Sequence, residues 1–132
     1  MIPFRLTAQP GVPIYEQAVY AATRAIVTGQ LRVGDPFPSV RALSRDLKIN
    51  PNTAQKVVAQ LLNDGLLESR PGIGTVVARR PGSRSGERAA LLNRRIEELV
   101  VEAKRLLIDR DEVIAALDKH WHRLSSGQEA YR

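Results

Sequence analysis

Apolar residues recur at helical spacing in the first quarter of the chain. Tyr15, Val19, Ala22 and Ile26 step by four, three and four, which predicts an amphipathic helix from Pro13 to about Gly29. Gly29 stands just past the last periodic residue, where a helix can stop. Periodicity then lapses. In "LRVGDPFP" (31–38) two prolines each disfavour helix in the residue before them, so this stretch is extended. Ser39 can cap a second short helix, 40–46, with Val40, Leu43 and Leu47 turned inward. After "LKI" a third helix opens with Asn50 as cap and Pro51 at the first helical position. In "NPNTAQKVVAQL" (50–61) Ala54, Val57, Val58 and Leu61 crowd one side. Asn52, Gln55, Lys56 and Ala59 occupy the other, with no acidic residue among them. This helix ends near 64–65.

From residue 66 the period shortens to that of a strand. Residues 66–70 and 75–78 read as a β-hairpin, and Pro71-Gly72 suits the centre of a type II turn. "RRPGSRSG" (79–86) has no apolar residue and the composition of a linker. Beyond it a long helix is expected over about 87–107. Leu92, Ile96, Leu99, Ala103 and Leu106 step by four, three, four and three, a heptad seam that Val100 and Leu107 widen. Asp109, with a carboxylate three residues later, opens a last helix to about residue 125. Its apolar face is Ile114, Leu117, Trp121 and Leu124.

The order helix, extended, helix, turn, helix, hairpin is that of a winged helix-turn-helix. The expected fold is therefore mainly α with a small β wing. Its domains are a winged helix-turn-helix over 10–79, a linker over 80–86 and a two-helix region over 87–126. The long helix spans about 30 Å, and under fifty residues of tail cannot cover its apolar stripe. A second copy, packed as a C2 pair of hairpins, is the simplest cover. The residues expected at that seam are Leu92, Ile96, Leu99, Ala103, Leu106, Leu117 and Trp121.

Charge separates the two parts. The 132-residue chain has a net charge of +6. Residues 1–80 hold ten Lys/Arg against five Asp/Glu, and residues 81–132 hold ten against nine. The excess lies in the part that contains the acid-free helix, which points to a polyanionic partner, nucleic acid first. The chain lacks cysteine, so it has neither disulfide framework nor thiolate chemistry. No run reaches the length of a membrane span, and the first residues lack a signal-peptide core. A cytoplasmic location is expected. His120 and His122, two apart on a helix, point to different faces and make a poor metal pair. No nucleophile–base set, phosphate loop or metal-spaced cluster emerges, so neither an enzyme nor a cofactor is expected.

In a helix-turn-helix the second helix enters the major groove with its N-terminal residues toward base edges. Asn52 and Gln55 can make paired hydrogen bonds to adenine, and Lys56 can reach guanine or phosphate. Thr53 and the free amides of the first turn can take a phosphate. Asn50, as a cap, already uses its side chain. Arg41, just after Ser39, can pair with a phosphate or reach a base edge, and Arg45 and Lys48 either add to the phosphate footprint or stand solvated. The hairpin tip is bare backbone beside Arg70, a shape and charge suited to a minor groove.

From Pro13 to Ala78 the chain closely resembles the DNA-binding domain of GntR-type bacterial transcription regulators. The resemblance is carried by "PIYEQ", "G-x-L-x-x-G-D-x-x-PSVR-x-L", "NPNT", "L-x-x-x-GL" and "RPG-x-GT", in that order. The short two-helix tail resembles the YtrA-like subfamily, which lacks a large effector domain. The resemblance implies that Arg41, Asn50, Asn52, Thr53 and Gln55 contact double-stranded DNA and that Gly72 enters the minor groove. Gln55 stands where many members carry Arg, which favours adenine over guanine there. Phe37 replaces a usual Leu. The candidate DNA contacts are thus Ser39, Arg41, Asn50, Asn52, Thr53, Gln55, Lys56, Arg70 and Gly72. The expected function is a homodimeric, sequence-specific repressor reading an inverted repeat. A small effector has room between the two domains or at the dimer seam, near Trp121 and His120. The competing reading is a winged-helix protein-interaction module or an RNA-binding adaptor.

Overall fold

The computed structural model describes residues 2–6, 9–78 and 86–125. The chain divides into two compact units, a head and a tail, which are taken separately. The expected linker over 80–86 lies outside the described residues apart from Gly86, as does the final expected tail position, 126.

The head contains helices α1 (Ile14–Val27), α2 (Val40–Leu47) and α3 (Pro51–Asn63), then strands β1 (Leu67–Arg70) and β2 (Gly74–Val77). Helix α1 lays Ala18, Ala22, Ala25 and Ile26 against the core. Its alanines keep the helix surface flat enough for close approach. Leu43 of α2 and Ala54, Val57 and Leu61 of α3 meet them, and Leu67 and Val77 close the cluster from the hairpin. Burying each of Leu43 and Leu61 stabilises the head by ~1.5–3 kcal/mol. The core also takes in Phe4, ahead of the expected boundary at residue 10. Its ring stacks on Phe37 at a centroid distance of 6.0 Å.

Helices α2 and α3 both begin at the expected polar caps. Ser39 Oγ accepts a hydrogen bond from the Ala42 amide at 3.1 Å, and Asn50 Oδ1 accepts one from the Asn52 amide at 2.7 Å. The turn between α2 and α3 is a Schellman-type stop. Lys48 adopts a left-handed conformation with φ 56°, and the Ile49 amide donates back to the Ser44 carbonyl at 3.1 Å. Ser44 Oγ donates to the Ile49 carbonyl at 2.6 Å, which fixes the angle of entry into α3.

The hairpin is antiparallel, with Leu67 opposite Val77 and Arg70 opposite Gly74. The Ile73 amide donates to the Arg70 carbonyl at 3.1 Å. Gly72 has φ 78°, so Pro71-Gly72 forms the type II turn read from the sequence. The "GDPF" stretch does more than run extended, because it lies along β2 as a third rung. The Gly34 amide donates to the Val77 carbonyl, the Val77 amide to the Asp35 carbonyl and the Phe37 amide to the Thr75 carbonyl, each at 2.9 Å. Pro36, lacking an N–H, bridges Val76 on this outer edge.

The tail departs from the expected single helix over 87–107. It starts as α4 (Glu87–Ala89), passes through a π-helical segment (Ala90–Arg95) and continues as α5 (Ile96–Arg105). The stop repeats the head's device. Leu107 adopts φ 60°, and the Ile108 amide donates to the Ala103 carbonyl at 2.9 Å. Asp109 then caps α6 (Arg110–Leu124), its Oδ1 accepting from the Glu112 amide at 3.0 Å. Among the described tail residues Ala103 alone is buried, while Leu92, Leu99, Leu106, Leu117 and Trp121 are exposed.

Candidate nucleic-acid interface

The face opposite the core on α3 is set by helix periodicity. Ala54, Val57 and Leu61 are buried, so Asn52, Gln55, Lys56 and Ala59 are left exposed, and Thr53 is half-buried. Short side chains at the first turn let the helix come close to a partner. Pro51 has no N–H, and the Asn52 and Ala54 amides donate to the side chain and carbonyl of Asn50, so the Thr53 amide is the first-turn donor left at the positive end of the helix dipole.

Arg41 sits in the first turn of α2 and is exposed. Ser39, one residue outside that helix, is engaged as its cap. Asn50 is likewise engaged at α3, so its side-chain oxygen holds the helix start and is not free for a base.

Not all of the head's cations are equally available. Arg45 pairs with Asp46 at 3.1 Å. Arg70 is bound by Glu68, two residues back on the same strand face, through Nε at 3.0 Å and Nη2 at 2.7 Å. In the sequence Arg70 stands as a bare charge beside the turn, and only the fold reveals its partner. Among the described residues no carboxylate pairs with Arg41 or Lys56.

The wing tip presents backbone. Gly72 and Gly74 have φ 78° and 110°, and a Cβ built on either meets nothing within 4 Å. The glycines are thus required by conformation, and the space above them is open to a partner. Ile73 between them is 70% exposed, an apolar side chain at the tip that sequence reasoning missed. Its position between two glycines of a turn is the signal that could have found it.

Sequence reasoning also missed any role for Tyr15 beyond the core. Its hydroxyl donates to Gln60 Oε1 at 3.0 Å, and Gln60 Nε2 donates to Asp64 Oδ1 at 2.9 Å. This chain of bonds ties the start of α1 to the outer flank of α3. No helix among the described residues is long and apolar enough to cross a membrane.

Residues 14–77 match the family described as "Bacterial regulatory proteins, gntR family". The chain is 27% identical over 100 residues to the HTH-type transcriptional repressor YtrA of Bacillus subtilis, covering 75% of this chain and 77% of YtrA. A transcriptional antiterminator from Listeria monocytogenes shares the fold, with a TM-score of 0.80 at 24% identity over 92% of each chain. The DNA-binding domain of AraR, solved with its operator ORX1, matches at 26% identity and a TM-score of 0.51. That match covers 59% of this chain and 99% of AraR's domain. An exposed, acid-free helix set on a capped turn, a glycine-tipped wing and these relatives converge. Residues 14–77 make the chain a DNA-binding transcriptional regulator with a GntR-family helix-turn-helix domain.

Proposed function

We propose that the protein is a homodimeric repressor, acting in the cytoplasm, that reads an inverted-repeat operator. The observation that carries this reading is the exposed face of α3: Asn52, Gln55 and Lys56 with no acid among them. Asn52 and Gln55 take base edges, with Gln55 favouring adenine. Arg41, Thr53 and Lys56 hold the duplex, and the amides capped around Ser39 and Asn50 set the register of both helices. Gly72 enters the minor groove, and Arg70 exchanges Glu68 for the groove's negative potential. YtrA's name as a repressor supports the sign of regulation.

The head would serve as reader and the tail as coupler. Leu92, Ile96, Leu99, Ala103, Leu106, Leu117 and Trp121 form the seam against a second tail. A hairpin that leaves Leu92, Leu106 and Trp121 more than half exposed has an apolar face suited to such a partner. The same seam, with His120 beside Trp121, is where a small effector would bind.

The test is binding of the full-length protein to the duplex upstream of its own gene, with point changes in that duplex. Gln55→Ala should relax preference at one base pair by ~1–3 kcal/mol. Arg41→Ala should weaken binding to all duplexes alike. A wild-type protein that sediments as one subunit and ignores duplex DNA at low salt would falsify the proposal. Retention of an acidic protein or an RNA in its place would favour the adaptor reading.

A further inference from the structure

Resting on that DNA-binding reading, we propose that the sugar–phosphate backbone runs along the groove between the start of α1 and the outer flank of α3. In this placement Lys56 and Asn63 are backbone contacts and Tyr15 is a positioning residue. The groove is shallow and open to solvent, about 610 Å³ in volume, and is lined by Tyr15, Thr53, Lys56, Ala59, Gln60 and Asn63. None of these six side chains is acidic, and all but Ala59 carry a hydrogen-bond donor.

Helix geometry separates this row from the base-reading row. Thr53, Lys56, Gln60 and Asn63 recur at three, four and three residues, so they form one stripe along α3. Gln55 lies about 100° around the helix from Lys56. A helix nearly fills a major groove about 12 Å wide. When Gln55 points to the base edges, the stripe through Lys56 faces the groove wall, which is phosphate. Sequence alone allows Lys56 either guanine or phosphate. The shared groove with Asn63, near the far end of α3, assigns it to phosphate.

Ala59 keeps the groove open where a longer side chain would fill it. Asp64 stands at the end of α3, and one of its carboxylate oxygens is held by Gln60 Nε2. Gln60 is held in turn by the Tyr15 hydroxyl. Tyr15 donates its proton to Gln60 and so cannot also donate it to a phosphate. Its role is to fix Gln60, and through it Asp64, beside a path that carries negative charge.

The experiment titrates full-length protein against operator and unrelated duplexes across a salt series. Lys56→Gln should weaken both duplexes by a similar factor and reduce the slope of log affinity against log salt by about 0.9. Asn63→Asp places a like charge on the path and should weaken both duplexes about tenfold or more. Tyr15→Phe keeps the ring and should lower affinity severalfold at temperatures where the variant is fully folded. Rescue of Tyr15→Phe by Asp64→Asn would mark the effect as electrostatic positioning and not loss of structure. The proposal is overturned if Lys56→Gln relaxes preference at one base pair with the salt slope unchanged. It is equally overturned if Asn63→Asp binds within about twofold of wild type. In either case wild-type binding and the Gln55→Ala effect would persist, so the DNA-binding reading would survive the failure.

Discussion

Head and tail draw on the same aliphatic alphabet and place it oppositely. In the head Leu43, Val57 and Leu61 are 0–1% exposed, whereas in the tail Leu92, Leu106 and Trp121 are 58%, 52% and 67% exposed. The corners are built alike. Each unit stops a helix with a left-handed non-glycine residue, Lys48 or Leu107, and restarts with a polar cap, Asn50 or Asp109. The two units differ in what surrounds the corner. The head adds a hairpin and the "GDPF" rung, which close over α1, α2 and α3. The tail adds a single helix, and two helices make no third layer. One unit therefore finishes its own core, while the other leaves an apolar face to be covered.

The largest test of that contrast compares equal truncations. Leu61→Ala should destabilise the head by ~2–5 kcal/mol, read by denaturant unfolding, with the loss independent of protein concentration. Leu92→Ala should leave the head's unfolding unchanged. Its effect should appear only in tail association, as a melting temperature that depends more steeply on concentration. Equal, concentration-independent losses at both positions would mean that the tail completes a core of its own.

Next in size is Leu99→Asp. A charge in the middle of the proposed seam should give a single subunit in sedimentation, while Leu61 and the rest of the head remain folded. Joining two heads raises avidity by ~10²–10⁴, so affinity for an inverted repeat should fall by about two orders of magnitude. Affinity for an isolated half-site should hold. Loss of both together would place Leu99 in the head's own stability and remove the division of labour.

These tests lean on features that differ in how visible they are in the sequence. Caps are legible because they depend on a short polar side chain at a fixed offset from an apolar period: Ser39, Asn50 and Asp109 all cap as read. The wing turn is legible for a similar reason, since Pro-Gly satisfies the two dihedral demands of a type II centre. The pairing of the 34–37 stretch with β2 is not, because a proline-interrupted strand has neither alternation nor a turn of its own. The π-helical segment Ala90–Arg95 escapes because hydropathy at three- and four-residue steps does not record which carbonyl each amide reaches. Lys48 and Leu107 escape because glycine is the usual sign of a left-handed stop. In the candidate site the exposed row of α3 is legible from periodicity. The Arg70–Glu68 pair and the Tyr15–Gln60–Asp64 chain depend on tertiary placement or rotamer choice, which a linear pattern does not encode.

Caps give a finer comparison between the units. Asn50→Ala and Asp109→Ala each remove one acceptor from a helix start and should each cost ~0.5–2 kcal/mol. The first should also loosen the start of α3 and weaken DNA binding at unchanged tail association. The second should weaken association and leave half-site affinity alone. Hydrogen exchange at the Asn52 and Glu112 amides would report each loss locally.

The smallest and sharpest comparison uses the two left-handed corners. A left-handed conformation strains an L-residue by ~1–2 kcal/mol, and glycine relieves that strain while adding ~0.4–1 kcal/mol of unfolded-state entropy. Lys48→Gly should therefore stabilise the head by about 0.5–1 kcal/mol, because the exposed Lys48 side chain contributes little packing. At Leu107 the same change has two outcomes that depend on association. In a single subunit Leu107 is 90% exposed, so glycine should stabilise the dilute tail by the same amount. If a second tail covers Leu107, glycine also removes a buried leucine worth ~1.5–3 kcal/mol, and the sign reverses at high concentration. A sign change with concentration at Leu107 but not at Lys48 would place the tail corner inside the seam. A stabilisation at every concentration would leave it outside, and the seam would then be confined to the α5 and α6 faces.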